Sequence, residues 1–235
     1  MAPHRQPPVS GAGIGGLLCA YFSAYHFRVA TPKITCLKHG PYLLANAGLR
    51  RASGETWPTD KGAALCRCGG SSNKPFCDGT HGRNGFRDDN RADPAKDRRE
   101  AYAGKAITVL DNRALCAHAA HCTEELASVF RYGKEPWIDA DGAAAKEIIA
   151  VIRKCPSGAL SYAIDGVEAA PPGRAPMVTV TANGPYALTG GIELVDVKPG
   201  DGASSEHCTL CRCGASNNKP FCDGSHCDAA FKDPS

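Results

Sequence analysis

The chain has 235 residues, 13 of them cysteine, with 43% hydrophobic and 22% charged residues. That is an ordinary globular composition, and it excludes a disordered or collagen-like chain. The odd cysteine count rules out a closed disulfide framework that uses every thiol. A formal charge of +3 is too small for a dedicated nucleic-acid or anionic-membrane binder.

Residues 1–30 form an N-terminal extension. Gly11-Ala12-Gly13-Ile14-Gly15-Gly16 satisfies G-x-G-x-x-G, but His4 to Pro8 ahead of it offer no apolar strand. No acidic residue follows before Glu55, so the pattern is not read as a dinucleotide fingerprint. Val9 to Phe27 carries no formal charge and approaches the ~20 residues that span a bilayer. It is read either as a targeting or anchoring segment or as a poorly ordered extension. Cys19 within it is an incidental thiol.

Residues 31–90 form a unit that returns at 176–235. Cys66-Arg67-Cys68 through Cys77-Asp78-Gly79-Thr80-His81 reappears without gaps as Cys211-Arg212-Cys213 through Cys222-Asp223-Gly224-Ser225-His226. Gly40-Pro41-Tyr42 matches Gly184-Pro185-Tyr186, and Phe86 matches Phe231. Each copy offers three thiols and one imidazole as C-x-C, then C-x3-H, a complete shell for a tetrahedral metal or a small iron–sulfur cluster. Zinc sites usually separate paired cysteines by ~2–4 residues. The single intervening residue here, in a loop rich in glycine and serine whose amides can turn toward sulfur, favours iron–sulfur.

The string C-x-C-x2-S-x3-P-x-C-D-G-[ST]-H resembles the CDGSH iron–sulfur (NEET) family at every defined position, in both copies. The resemblance implies a 2Fe–2S cluster in each. Cys66 and Cys68 would hold one iron, with Cys77 and His81 on the more exposed one; Cys211 and Cys213, then Cys222 and His226, are the second set. It also implies a cluster at a loop and helix start beneath a β-cap, with Asp78-Gly79 and Asp223-Gly224 at the helix N-caps. Two motifs in one chain imply a monomer built as an internal pseudo-dimer, with the strands near 33–44 and 177–188 packed together. Cys36 aligns with Val180 and is read as core packing.

Residues 91–100 are charge-dense and contain Pro94, and 169–175 hold Pro171-Pro172-Gly173; both read as linkers. Arg50-Arg51 and Lys96 through Arg99 read as solvated faces or docking points for an acidic redox partner.

Residues 101–168, between the linkers, have a different spacing. Tyr102 to Leu110 reads as a strand and Ala143 to Lys154 as a helix. Cys116-x2-Ala119-x2-Cys122, followed by Cys155-Pro156, has the first, third and last cysteines of a bacterial ferredoxin run but not the second. This unit resembles the small single-cluster ferredoxins and the divergent mono-cluster ferredoxin domain. The resemblance, with Ala119 in place of a ligand, implies a 3Fe–4S cluster on Cys116, Cys122 and Cys155. The alternative is a 4Fe–4S cluster completed by His118, His121 or water; both histidines are otherwise surface residues. Cys208 and Cys227 flank the second motif, lack counterparts in the first, and are read as inert thiols.

The expected fold class is α+β: two NEET-like repeats around an inserted ferredoxin-like domain. No nucleophile–base pair, catalytic carboxylate pair or phosphate loop is visible, so the expectation is an electron carrier and not an enzyme. Expected partners are a flavin or iron–sulfur reductase or acceptor. The alternative is cluster storage, transfer or sensing, with apo-proteins as acceptors, since protonation of a freed imidazole at His81 or His226 competes with the iron. Reduced clusters imply a reducing compartment, the bacterial cytoplasm, with a mitochondrial or membrane-anchored location (through residues 9–27) as the alternative.

Overall fold

The computed structural model describes residues 30–233. The glycine pattern at 11–16, the uncharged stretch 9–27 and Cys19 lie outside the described residues. Among the described residues no helix is long and apolar enough to cross a membrane.

The first repeat supplies β1 (Lys33–Cys36), β2 (Tyr42–Ala45), β3 (Gly48–Arg51), β4 (Thr56–Trp57) and β5 (Ala63–Leu65). The central unit supplies β6 (Glu100–Ala103), β7 (Thr108–Asp111), α1 (His121–Glu125), α2 (Ala145–Ile152), β8 (Leu160–Ile164) and β9 (Val167–Glu168). The second repeat supplies β10 (Met177–Val180), β11 (Tyr186–Thr189), β12 (Glu193–Val195), β13 (Cys208–Leu210) and α3 (Ser225–Asp228). This is a small, sheet-rich fold with few helices and a repeated unit.

The strands are short, and their apolar residues alternate. Tyr42 and Leu44 point inward from β2, Tyr186 and Leu188 from β11, and Val178 and Val180 from β10, all almost fully buried. The sheet orders are β12-β1-β2-β5 and β13-β11-β10-β3-β4. Each repeat therefore gives its third strand to the other repeat's sheet. β1 pairs with β12 in parallel, Ile34 opposite Leu194, and β10 pairs with β3 in parallel, Val178 opposite Leu49. The hairpins 33–44 and 177–188 do not pair with each other directly. They meet through one shared core that includes Ile34, Leu49, Leu65, Val178 and Leu210, where the Tyr42 and Tyr186 rings stand edge to face at 6.0 Å. Burying each of these side chains contributes roughly 1.5–3 kcal/mol.

The central unit has its own core and an antiparallel sheet ordered β6-β7-β8-β9. The expected single strand from Tyr102 to Leu110 is instead a hairpin, Tyr102 opposite Val109. The chain reverses because the Gly104 amide donates to the Ile107 carbonyl (2.9 Å) and the Lys105 amide is held by Asp141 Oδ1 (2.8 Å). The expected helix forms as α2, with Ile148, Val151 and Ile152 buried at i, i+3 and i+4. Glu147 Oε2 caps its start by accepting from the Ala144 amide (3.1 Å). The charge-dense stretch before β6 is tied down: Asn112 donates to Asp97 (2.7 Å), and Arg99 forms two bonds to Glu168 (2.7 and 2.8 Å).

Candidate metal centres

In the first repeat the motif loop is closed at its base by β-type bonds, Cys66 N–H to the Pro75 carbonyl (2.8 Å) and Cys77 N–H to the Ala64 carbonyl (2.9 Å). That closure brings Cys66 and Cys68 together, Sγ to Sγ 3.8 Å, and sets Cys77 Sγ 3.3 Å from His81 Nδ1. The second repeat repeats this arrangement, with 3.7 Å between Cys211 and Cys213 and 3.4 Å between Cys222 and His226. The Gly70 and Ala215 amides point at Cys68 and Cys213 Sγ, each at 3.4 Å, as the glycine- and serine-rich loop leads one to expect.

Asp78 and Asp223 are cross-braces, not N-cap residues. One oxygen of Asp78 accepts from the Ser72 amide across the loop (2.8 Å), the other from Thr80 (3.0 Å). These amides, Ser72 first, hold its carboxyl well below the usual carboxylate range. Asp223 does the same with Asn217 and Ser225. The N-cap residues are Gly79 and Gly224, and the helices they begin have a single turn.

The donor sets can be tested against a single ion. Among the described residues the one group of three or more donors tight enough for that is His39, Asp88 and Asp89. Lys38 and Arg67 already neutralise these carboxylates. Neither motif set is that tight, although each holds two close pairs. Two pairs with a gap between them fit a binuclear group, one pair per iron, better than a lone tetrahedral zinc.

In the central unit Cys116, Cys122 and Cys155 line one recess with His118, Ala119, His121 and Pro156. His118 and Ala120 take left-handed φ values of 55° and 64°, which folds the loop back so that Cys122 enters on the first turn of α1. Cys155 follows α2, its amide bonded to the Ile152 carbonyl (2.9 Å). Ala119 offers no donor. His118 and His121 are exposed, and His121 Nδ1 faces Glu125 Oε1 at 3.3 Å. Burial pushes the Cys116 and Cys122 thiols up, so loading iron there must expel protons.

The comparisons with known proteins agree with this geometry. A family described as "Iron-binding zinc finger CDGSH type" matches residues 39–82 and again 183–227. One described as "Divergent 4Fe-4S mono-cluster" matches residues 102–165. These matches make the chain an iron–sulfur protein. Its two CDGSH domains flank the divergent mono-cluster domain. It is also 38% identical over 61 residues, 26% of its length, to the "Uncharacterized protein YjdI" of Escherichia coli strain K12, covering 80% of that protein. The same protein of Escherichia coli O157:H7 matches equally. No solved structure matches the chain.

Sequence reasoning passed over the residues that build the CDGSH loops from behind. Arg67, between the two cysteines, is buried, donates to the Leu37 carbonyl (2.9 Å), pairs with Asp88 (3.0 Å) and stacks on the Tyr42 ring. Arg212 likewise donates to the Gly184 and Thr181 carbonyls and pairs with Asp233. Tyr42 OH reaches across to the carbonyls of Cys211 (2.9 Å) and Pro220 (3.0 Å), and Tyr186 OH to those of Cys66 and Pro75 (both 3.0 Å). The available signal was the repeat itself, since Arg67/Arg212 and Asp88/Asp233 recur at the motif's own offset.

The CDGSH loops also touch. Cys68 and Cys213 form an antiparallel bridge, and a Cβ on Gly69 would lie 2.4 Å from the Cys213 carbonyl oxygen, at φ +73°. Glycine is required there on both counts. Of the basic residues read as docking points, Arg51 pairs with Glu55, Arg98 with Glu100 and Arg99 with Glu168. All described cysteines are free. Cys36 and Cys208 pack against the shared core, and burial pushes the Cys208 thiol up to about 12.

Proposed function

We propose that this iron–sulfur protein is an electron carrier, not an enzyme, with two 2Fe–2S sites and one 3Fe–4S or 4Fe–4S site. Cys66, Cys68, Cys77 and His81 would hold the first, and Cys211, Cys213, Cys222 and His226 the second. Cys116, Cys122 and Cys155 would hold the third. Bound iron–sulfur clusters take up and release single electrons.

The observation that carries this reading is contiguity. The Cys68–Cys213 bridge joins the two CDGSH loops, and the His118 ring of the central loop lies on Gly224 of the second. The exchanged strands and reciprocal tyrosines support an internal pseudo-dimer, and the four-stranded sheet with α2 supports a ferredoxin-like insert. Three sites in a row suit exchange with a flavin- or iron–sulfur-containing partner. The test is iron and sulfide content, the paramagnetic resonance spectrum of the oxidised protein, and stepwise reduction. About seven irons per chain with an oxidised paramagnetic signal identifies a 3Fe–4S centre, and about eight without one a 4Fe–4S centre. A chain whose centres accept no electrons reversibly is not a carrier.

A second reading, storage or transfer of clusters, is favoured by the exposed loop at Asp78 and Gly79 beside His81. Incubation with an apo-ferredoxin separates the two, because only a donor fills the acceptor.

A further inference from the structure

The two CDGSH loops share their internal hydrogen bonds, save that Ser225 Oγ also donates to Asp223 (2.6 Å) in the second, yet they differ in what covers them. A Cβ placed on Gly79 would meet nothing within 4 Å, whereas one placed on Gly224 would meet the His118 ring at 2.6 and 2.9 Å. The two glycines have matching φ values, +84° and +86°, so backbone strain does not distinguish them. Asp78 and Gly79 are exposed, while Asp223 is partly covered and Gly224 is buried. A second contact reinforces the first: Asn218 Nδ2 donates to the Ala114 carbonyl (2.9 Å), two residues before Cys116. Asn73, its counterpart in the first repeat, is exposed and makes no such bond. A third joins the insert to the second repeat where Gly158, three residues after Cys155, packs against Ser204 and the His207 backbone, 2.8 and 3.1 Å from its would-be Cβ.

We propose that His118 clasps the loop of the second CDGSH site against the central metal loop, making the second site the retained one. The first site, which no described residue clasps in this way, is the one from which a cluster is lost or exchanged. This rests on the iron–sulfur reading above and deepens it by making the two CDGSH sites unequal. Chelator-driven loss from either site breaks the iron bonds to three thiolates and one imidazole. The iron passes to the chelator and the sulfide leaves to solvent as hydrogen sulfide, with no change of oxidation state. Opening of the loop that carries Cys222 and His226 must come first, and local opening costs more where a loop is packed.

The test uses the full, iron-loaded chain with EDTA at constant neutral pH, followed by visible circular dichroism. Cys77→Ser isolates the second site and Cys222→Ser the first. The first site is expected to lose its cluster about tenfold faster, the equivalent of roughly 1.4 kcal/mol in opening free energy. His118→Ala should bring the second site to within about twofold of the first and leave the first unchanged. Both glycines lie at positive φ, so alanine strains either loop, but Gly224→Ala also displaces the His118 ring and should speed loss from the second site by more than Gly79→Ala speeds it from the first. Where a cysteine variant fails to load, the 2Fe–2S signal of the otherwise unaltered chain should be lost in two phases that His118→Ala merges into one. Equal rates at the two sites, or a second site indifferent to both His118→Ala and Gly224→Ala, overturns the inference while leaving the iron–sulfur reading intact. A chain with no cluster absorbance overturns the reading itself.

Discussion

In the first repeat the loop at Asp78 and Gly79 stands in solvent, while in the second the same loop lies under His118 and Asn218 reaches into the insert. Behind the loops the relation is closer to symmetry: each buried arginine pairs with an aspartate, and each tyrosine braces the other repeat's motif. The difference shows that a motif specifies its donor geometry locally but leaves its accessibility to its neighbours. Two sites spelled alike in sequence therefore need not exchange iron alike.

The strongest blow to the symmetry behind the loops is removal of the arginines. Arg67→Met and Arg212→Met each take a buried cation from an aspartate and the donor from several carbonyls, so urea unfolding of the loaded chain should show a loss of about 3 kcal/mol or more for Arg212 and less for Arg67, whose Asp88 keeps Lys38 and His39. Arg212 has the fuller set of partners, so its variant should be the weaker one; a loss below about 1 kcal/mol would count against a structural role.

The insert provides the opposite case, a buried acid without a matched cation. Both carboxylate oxygens of Asp111 lack hydrogen-bond partners, and Arg113 Nε stands 4.0 Å away. Burial pushes its carboxyl up to about 7. Between pH 5 and 7 the unfolded chain ionises this group while the folded chain resists, so folded stability falls as pH rises and levels off above 7. Asp111→Asn should therefore gain on the parent by on the order of 2–3 kcal/mol between pH 5 and 8. A pH-independent difference would show that the acid is ionised in the fold.

A finer probe is the tyrosine exchange. Tyr42→Phe and Tyr186→Phe should each cost about 1–3 kcal/mol by taking the tyrosine donor from the buried Cys211 or Cys66 carbonyl of the other repeat, while the Pro220 and Pro75 carbonyls keep their backbone donors. Equal losses would support the reciprocity, and a neutral result at either would break it. The smallest effect is expected at the spare thiols. Iodoacetamide and mass spectrometry should label Cys227, which is exposed, before Cys208, which packs against the core. Cys227→Ala should leave iron content unchanged.

The donors were legible because each motif places Cys66 to His81, or Cys211 to His226, within one short loop whose geometry is local. The helix at 145–152 was legible from its isoleucine spacing. Strand exchange was not, since β12 is three residues and β3 four, too short for alternation to identify a partner. The buried arginines were hidden by chemistry: an arginine between two cysteines reads as a surface charge until an aspartate twenty-one residues on is seen to fold back onto it. The hairpin at 100–111 was misread as one strand because its reversal depends on Asp141, far along the chain.

The exchanged strands also set an order of events during synthesis. Lys33 pairs with Glu193, 160 residues later (193 − 33), an interval of roughly 10–30 s at typical elongation rates. Until the ribosome has made that strand, β1 has an open edge and Tyr186 is not there to brace Cys66. The first three thiols of the chain's earlier motif are thus exposed to the cell well before their scaffold is complete. Iron delivered during translation would meet an unfinished cradle, which makes the finished chain the natural substrate for cluster loading.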